Sequence, residues 1–192
     1  MSRSFETLLL AALATAWLAC PALALGPDPA SCYTRDWMTV SPGAEFDYPV
    51  IVRDADMNPI NDCNVVVDFS ACPFVVVSTM QEPGFTSGSK WVAGRTDAGG
   101  QVVFQMRAGG VCPGGPITVT AGGVLLRTLT MLATPDLNGD AMVGLVDFGM
   151  FVTDELNQSL ESDFNGDGAV DVVELAAFAD VVYFQRWRGY WP

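Results

Sequence analysis

The stretch VIVRDADMNPINDCNVVVDFS, Val50 to Ser70, reads as strand, turn and strand. Val50, Ile51 and Val52, then Val65, Val66 and Val67, are β-branched, a class that suits a pleated, half-buried surface and is stiff in a helix. Between the two runs stands Asn58-Pro59. Proline removes a backbone donor, and the residue before it is pushed out of the α region, so the chain must turn there. Upstream, FDYPVIVRD (Phe46 to Asp54) extends the first strand with partial alternation. Downstream, SKWVAGRTD passes through Asp97-Ala98-Gly99-Gly100 into QVVFQMR, and PITVTA is separated from VLLRTLTML by Gly122-Gly123. Glycines at those two points supply the positive φ of a tight hairpin. About six short strands at this spacing, with no convincing helix, predict an antiparallel β-sandwich from Cys32 to Leu132.

Residues 1–24 have the layout of a leader removed on export: Arg3, the apolar run Leu8 to Ala19, then an Ala-x-Ala site at Ala22 and Ala24. The run is too short for a transmembrane helix. Trp17 stands where a lipid-attachment signal before Cys20 would place leucine, so a protein secreted to the exterior or cell surface without a lipid anchor is expected. Cys32, Cys63, Cys72 and Cys112 then remain, an even number that favours two disulfides in an exported chain. Spacing does not choose among the three pairings; Cys72 with Cys112, leaving Cys32 with Cys63, is the preferred one. A zinc site lacks both a Cys-x-x-Cys pair and any histidine.

The formal charge of −13 disfavours nucleic acid and anionic membranes and favours cations. With no histidine there is no Ser-His-Asp or Cys-His arrangement. A pair of carboxylates can hydrolyse glycosides, but the acids of the sandwich are scattered and it offers little room for a cleft. A non-enzyme is expected.

At Thr134-Pro135 the pattern changes. Eleven Asp or Glu and no Lys or Arg lie between Asp136 and Asp180, and helical periodicity replaces alternation. Val146, Phe148, Met150, Phe151 and Leu156 recur at helical steps, as do Val172, Leu175, Phe178, Val181 and Val182. Each helical run follows an acidic loop. In DFNGDGAVDVVE, Asp163 to Glu174, oxygen ligands stand where a twelve-residue loop wraps a calcium ion. Asp163, Asn165 and Asp167 offer side chains and Ala169 its carbonyl. Asp171 acts directly or through water, Glu174 closes the shell, and Gly168 allows the sharp turn. Upstream by 27 residues, DLNGDAMVGLVD repeats the pattern with Asp136, Asn138, Asp140, the carbonyl of Met142 and Asp147. Here Ala141 stands in the glycine position and must accept an awkward backbone angle, and Gly144 has no side chain to offer. Two Ca2+ ions are expected, the 163–174 site being the stronger. The alternative is that these are solvated loops or helix caps. Against it, so many carboxylates without a basic residue repel one another unless a cation neutralises them.

The valine strand, Asp-x-x-x-Asn-Pro turn and second valine strand, followed by GRTDAGGQVVFQM and PITVTAGGVLL, resemble a bacterial immunoglobulin-like domain of the invasin/intimin kind. The paired runs DLNGDAMVGLVDFGMF and DFNGDGAVDVVELAAF resemble the dockerin family, whose two calcium-binding loop-then-helix repeats form a compact module in secreted bacterial proteins. The resemblances imply an all-β immunoglobulin-like sandwich (27–133) followed by a small all-α dockerin/EF-hand-like calcium module (134–184) and an aromatic tail (185–192). The dockerin resemblance further implies a cohesin-like protein partner, chosen by loop positions ten and eleven, here Leu145, Val146, Val172 and Val173. Those apolar pairs could equally be core residues facing the other helix. Glu174 at position twelve is closer to a general EF-hand. Dockerins often accompany polysaccharide-degrading enzymes, which implies by association an accessory or carbohydrate-binding role, with Trp37 or Trp91 as a sugar-stacking residue. A purely structural calcium clamp is the third expectation, with the aromatic tail docked on the acidic module or the sandwich.

Overall fold

The computed structural model describes residues 26–112 and 115–187, the side chains of 184–187 excepted. The expected leader, Cys20 and the end of the tail lie outside the described residues. The strands in chain order are β1 (Tyr33–Thr34), β2 (Met38–Thr39), β3 (Asp47–Ile51), β4 (Asn64–Asp68), β5 (Val76–Val77) and β6 (Thr86–Gly88). They continue with β7 (Trp91–Arg95), β8 (Gln101–Gln105), β9 (Ala108–Gly109), β10 (Ile117–Ala121), β11 (Val124–Leu129) and β12 (Leu132–Ala133). Two helices follow, α1 (Leu145–Asn157) and α2 (Val172–Trp187), with a 3-10 turn Leu160–Ser162 between them. The molecule is a β-sandwich followed by a small helical region.

One sheet has the order β11-β10-β4-β7-β6 and the facing one β1-β3-β8. Every pairing inside these two sheets is antiparallel. Alternation decides which residues meet between them. Val65 and Val67 of β4 and Val119 of β10 point inward from one sheet, and Tyr48, Val50, Val102 and Phe104 from the other, all buried in one core with Phe69, Ile117 and Leu129.

The turns obey the expected chemistry. Asp54 Oδ1 accepts the N–H groups of Asp56 and Asn58 at 2.9 and 2.8 Å, closing the Asn-Pro turn between β3 and β4. Between β7 and β8, Asp97 Oδ1 accepts from Gly99 and Gln101. Gly100 there has φ +74°, and an added Cβ would stand 2.5 Å from the Val52 carbonyl oxygen. Gly122 and Gly123 turn the β10–β11 hairpin at φ +54° and +83°.

Of the two expected bridges, Cys72–Cys112 forms across 40 residues of sequence. Lys90 Nζ gathers the same loop by donating to the carbonyls of Cys72, Pro73 and Val75 at 2.6–3.0 Å. The Cys32–Cys63 bridge is a correction: both are free thiols. Each is engaged by backbone instead. The Arg53 N–H donates to Cys32 Sγ at 3.3 Å while Cys32 Sγ donates to the Arg53 carbonyl, and Cys63 Sγ faces the Asn64 carbonyl.

The helical region is continuous with the sandwich. Strand β12 pairs in parallel with β2, and the next residue, Thr134, is fully buried. A second apolar core of Ala133, Leu137, Val143, Phe151, Phe164, Val170, Phe178 and Val181 packs against Phe46 and Val111 of the sandwich. No helix among the described residues is long and apolar enough to cross a membrane.

Candidate metal centre

Each acidic loop leads straight into a helix, and its first and last acids are the buried ones. Asp136 and Asp147 in the first loop, and Asp163 and Glu174 in the second, are 0–1 % exposed. Between them Asn138, Asp140, Asn165, Asp167 and Asp171 stand at the surface, as does Met142, whose expected contribution is its carbonyl, while Ala169 is half-buried.

The two loops repeat one hydrogen-bond pattern. Asp136 Oδ1 accepts the N–H groups of Gly139 and Asp140, and its Oδ2 that of Ala141 at 3.0 Å. Asp163 does the same with Gly166, Asp167 and Gly168, the last at 2.9 Å. Asn138 and Asn165 each accept from the N–H two residues on and donate to the following Asp carboxylate at 3.0 Å. Asp140 and Asp167 accept from Met142 and Ala169, both at 2.9 Å. The shared pattern follows from the shared Asp-x-Asn-Gly-Asp spacing. It needs left-handed backbone at loop positions four and six: Gly139 and Gly166 at φ +74°, Ala141 at +69° and Gly168 at +90°. Ala141 thus takes the awkward angle that its position requires.

The closing acids differ. Asp147 is spent on both oxygens, Oδ2 accepting from Gly144 at 2.8 Å and Oδ1 from Asn138 at 3.1 Å. Glu174, one methylene longer, accepts from Asp171 through Oε2 at 3.0 Å, while its buried Oε1 has no hydrogen-bond partner. Helix capping accounts for the first of these oxygens but not for the second.

The electrostatics are set first by burial and then by neighbouring carboxylates. Burial, then the neighbouring Asp147, pushes Asp136 up to about 7. Burial pushes Glu174 upward too, against backbone hydrogen bonds that oppose the shift, with Asp171 adding to it. The carboxylates lean on amides rather than gathering, and no group of three or more acids or cysteines in a metal-holding arrangement occurs among the described residues. The donor set is nonetheless all oxygen, hard and anionic, which suits calcium or magnesium and not zinc or copper. Its fully buried, unpartnered Glu174 oxygen stands where such a loop closes on its ion.

The four apolar residues at loop positions ten and eleven are placed at the surface. Leu145 is 89 % exposed, Val146 63 %, Val172 72 % and Val173 52 %. Phe148, Leu156 and Leu175 are exposed as well, so of the periodic residues on α1 only Phe151 enters the core, and on α2 Phe178 and Val181 do. Gly144, Leu145, Phe148, Leu175, Phe178, Ala179 and Val182 line an apolar groove of about 320 Å³ between the helices.

The sequence pattern missed the sandwich residues that touch the loops. Trp37, a candidate for sugar stacking, lies under the Arg35 guanidinium at 5.0 Å and against Gly166. Thr39 Oγ1 donates to the Phe164 carbonyl at 2.7 Å across 125 residues. Neither contact has a local signal in the sequence. No family model, curated protein or solved structure matches the chain.

Proposed function

We propose that the chain is a secreted, non-enzymatic calcium-binding protein in which a dockerin-like pair of calcium loops follows an immunoglobulin-like sandwich. Asp163, Asn165, Asp167, the Ala169 carbonyl, Asp171 and Glu174 hold one ion. Asp136, Asn138, Asp140, the Met142 carbonyl and Asp147 hold the other, more weakly. The observation that carries this is the buried Glu174 Oε1 without a partner. An ionised oxygen in that position is costly unless a cation neutralises it. The repeated hydrogen-bond pattern of the two loops supports the same conclusion. The ion's contribution is charge neutralisation and the ordering of the loop; the protein's residues supply the oxygens and the turn.

The module then docks a cohesin-like protein surface through Leu145, Val146, Val172 and Val173. Their exposure supports this over a core role, since large apolar side chains held out on an acidic module are costly in water unless a partner covers them. Pull-down with the full chain, against a variant carrying Asp at Leu145 and Val172, tests it. Binding that needs calcium and is lost in the variant is expected; equal capture by both sinks the docking role. The structural clamp is the second reading, favoured by the contacts of Thr39 and Trp37 with the second loop. It predicts calcium binding and thermal stabilisation with no partner captured.

A further inference from the structure

Both loops rest on one edge made by residues 37–41 and 107–110, which meet at the Ser41–Arg107 bridge and where Ala108 N–H donates to the Ser41 carbonyl at 3.1 Å, and the contacts fall on the backbone that aims their ligands. At the first loop, Gly110 N–H donates to the Asp136 carbonyl at 2.7 Å. A Cβ added at Gly109 would stand 1.9 Å from Asp136 Oδ2, so strand β9 lies directly against the first carboxylate. A Cβ at Gly139 would come within 3.3 Å of the Gly110 Cα. At the second loop, the Trp37 ring covers Gly166 so closely that a Cβ there would fall 2.2 Å from the indole Cε2. Thr39, 4 % exposed, fixes the Phe164 carbonyl immediately after Asp163. The residues held are loop positions one, two and four, while the outward ligands at positions three and five stand at the surface. Strand β12, paired to β2, delivers the chain to Asp136 with Thr134 and Pro135 buried, which leaves no slack.

We propose that this edge, Gly109 and Gly110 at the first loop and Trp37 and Thr39 at the second, is a built part of the calcium sites. These are positioning residues: none touches the ion, and each sets affinity by holding a loop's backbone in the form that presents its oxygens. Groups that orient metal ligands in this way typically govern affinity about as strongly as a ligand's own hydrogen bonds do. The inference rests on the calcium reading above and adds that the loops bind well only when seated on the sandwich, each through its own contact.

The test is calcium calorimetry on the full chain, reading the second site in an Asp136→Ala background and the first in an Asp163→Ala background. Trp37→Ala and Thr39→Val are expected to weaken the second site about tenfold, and Gly109→Ala the first site by a similar factor, each leaving the other site within about threefold. Trp37→Phe and Thr39→Ser, which keep an aromatic ring and a hydroxyl, restore the second site. Unchanged affinity in all three disruptive variants, with circular dichroism matching the parent, overturns the proposal. So does an equal loss at both sites in every variant, which marks general destabilisation. A parent chain that takes up no calcium at all overturns the calcium reading itself and this inference with it.

Discussion

Ala141 sits at φ +69° in the sixth position of its loop, where the twin loop has Gly168 at +90°. An L-residue in left-handed backbone is strained by about 1 kcal/mol, so Ala141→Gly is expected to raise stability by roughly that amount and to tighten the first site. Thermal melts with and without calcium read both effects. Glu174→Gln has opposite consequences for the two forms. Removing a buried charge raises the stability of the calcium-free protein, while the second site weakens at least about tenfold, because one neutral amide oxygen replaces a carboxylate. Tyr48 gives a pH signature for the sandwich. Burial pushes its phenol up to about 12, with Thr34 donating to the phenolic oxygen and that hydroxyl donating to the Arg35 carbonyl. The folded pKa lies above the unfolded value, so the stabilisation is intact below pH ~10 and drains as pH rises towards 12, by about 3 kcal/mol in all. Alkaline unfolding of Tyr48→Phe, compared with the parent, shows the difference as a shallower loss over that range.

At the level of elements, structure whose partners are close in the chain is legible in the sequence. Hairpin β10–β11 follows from Gly122-Gly123, and both loop-to-helix junctions follow from Asp-x-Asn-Gly-Asp, because the partners are within a few residues. Helix α1 is where periodicity misleads: its apolar steps suggest a buried face, yet only Phe151 of those residues is covered. Spacing describes one side of a helix but not what lies opposite it. The cysteines divide in the same way. The Cys72–Cys112 bridge joins the loop after β4 to the segment after β9, and it closes 40 residues of sequence separation. Replacing both with Ser is expected to cost about 4 kcal/mol by loop-closure entropy, measured by denaturant unfolding of the double variant. Cys32 and Cys63 complete the even count that suggests a second bridge, yet both stay free thiols, and the partner that engages Cys32, the Arg53 backbone, is 21 residues away.

The whole molecule carries a net charge of −13, concentrated in a helical region that shares its core with the sandwich through Phe46 and Val111. The sequence suggests two units joined at Pro135. The shared core and the seated loops point instead to one cooperative transition, whose unfolding free energy calcium raises by about 2.7 kcal/mol for each site at a hundredfold excess over that site's dissociation constant. These long-range contacts are the part of the fold that no local pattern encodes, since Thr39 and Phe164 meet across 125 residues of sequence. If the two acidic loops are calcium sites of unequal strength, calorimetric titration of the full chain with calcium resolves them. Two ions bound, the tighter lost in Asp163→Ala and the weaker in Asp136→Ala, is the predicted result; no uptake, or uptake that survives in the double variant, contradicts it.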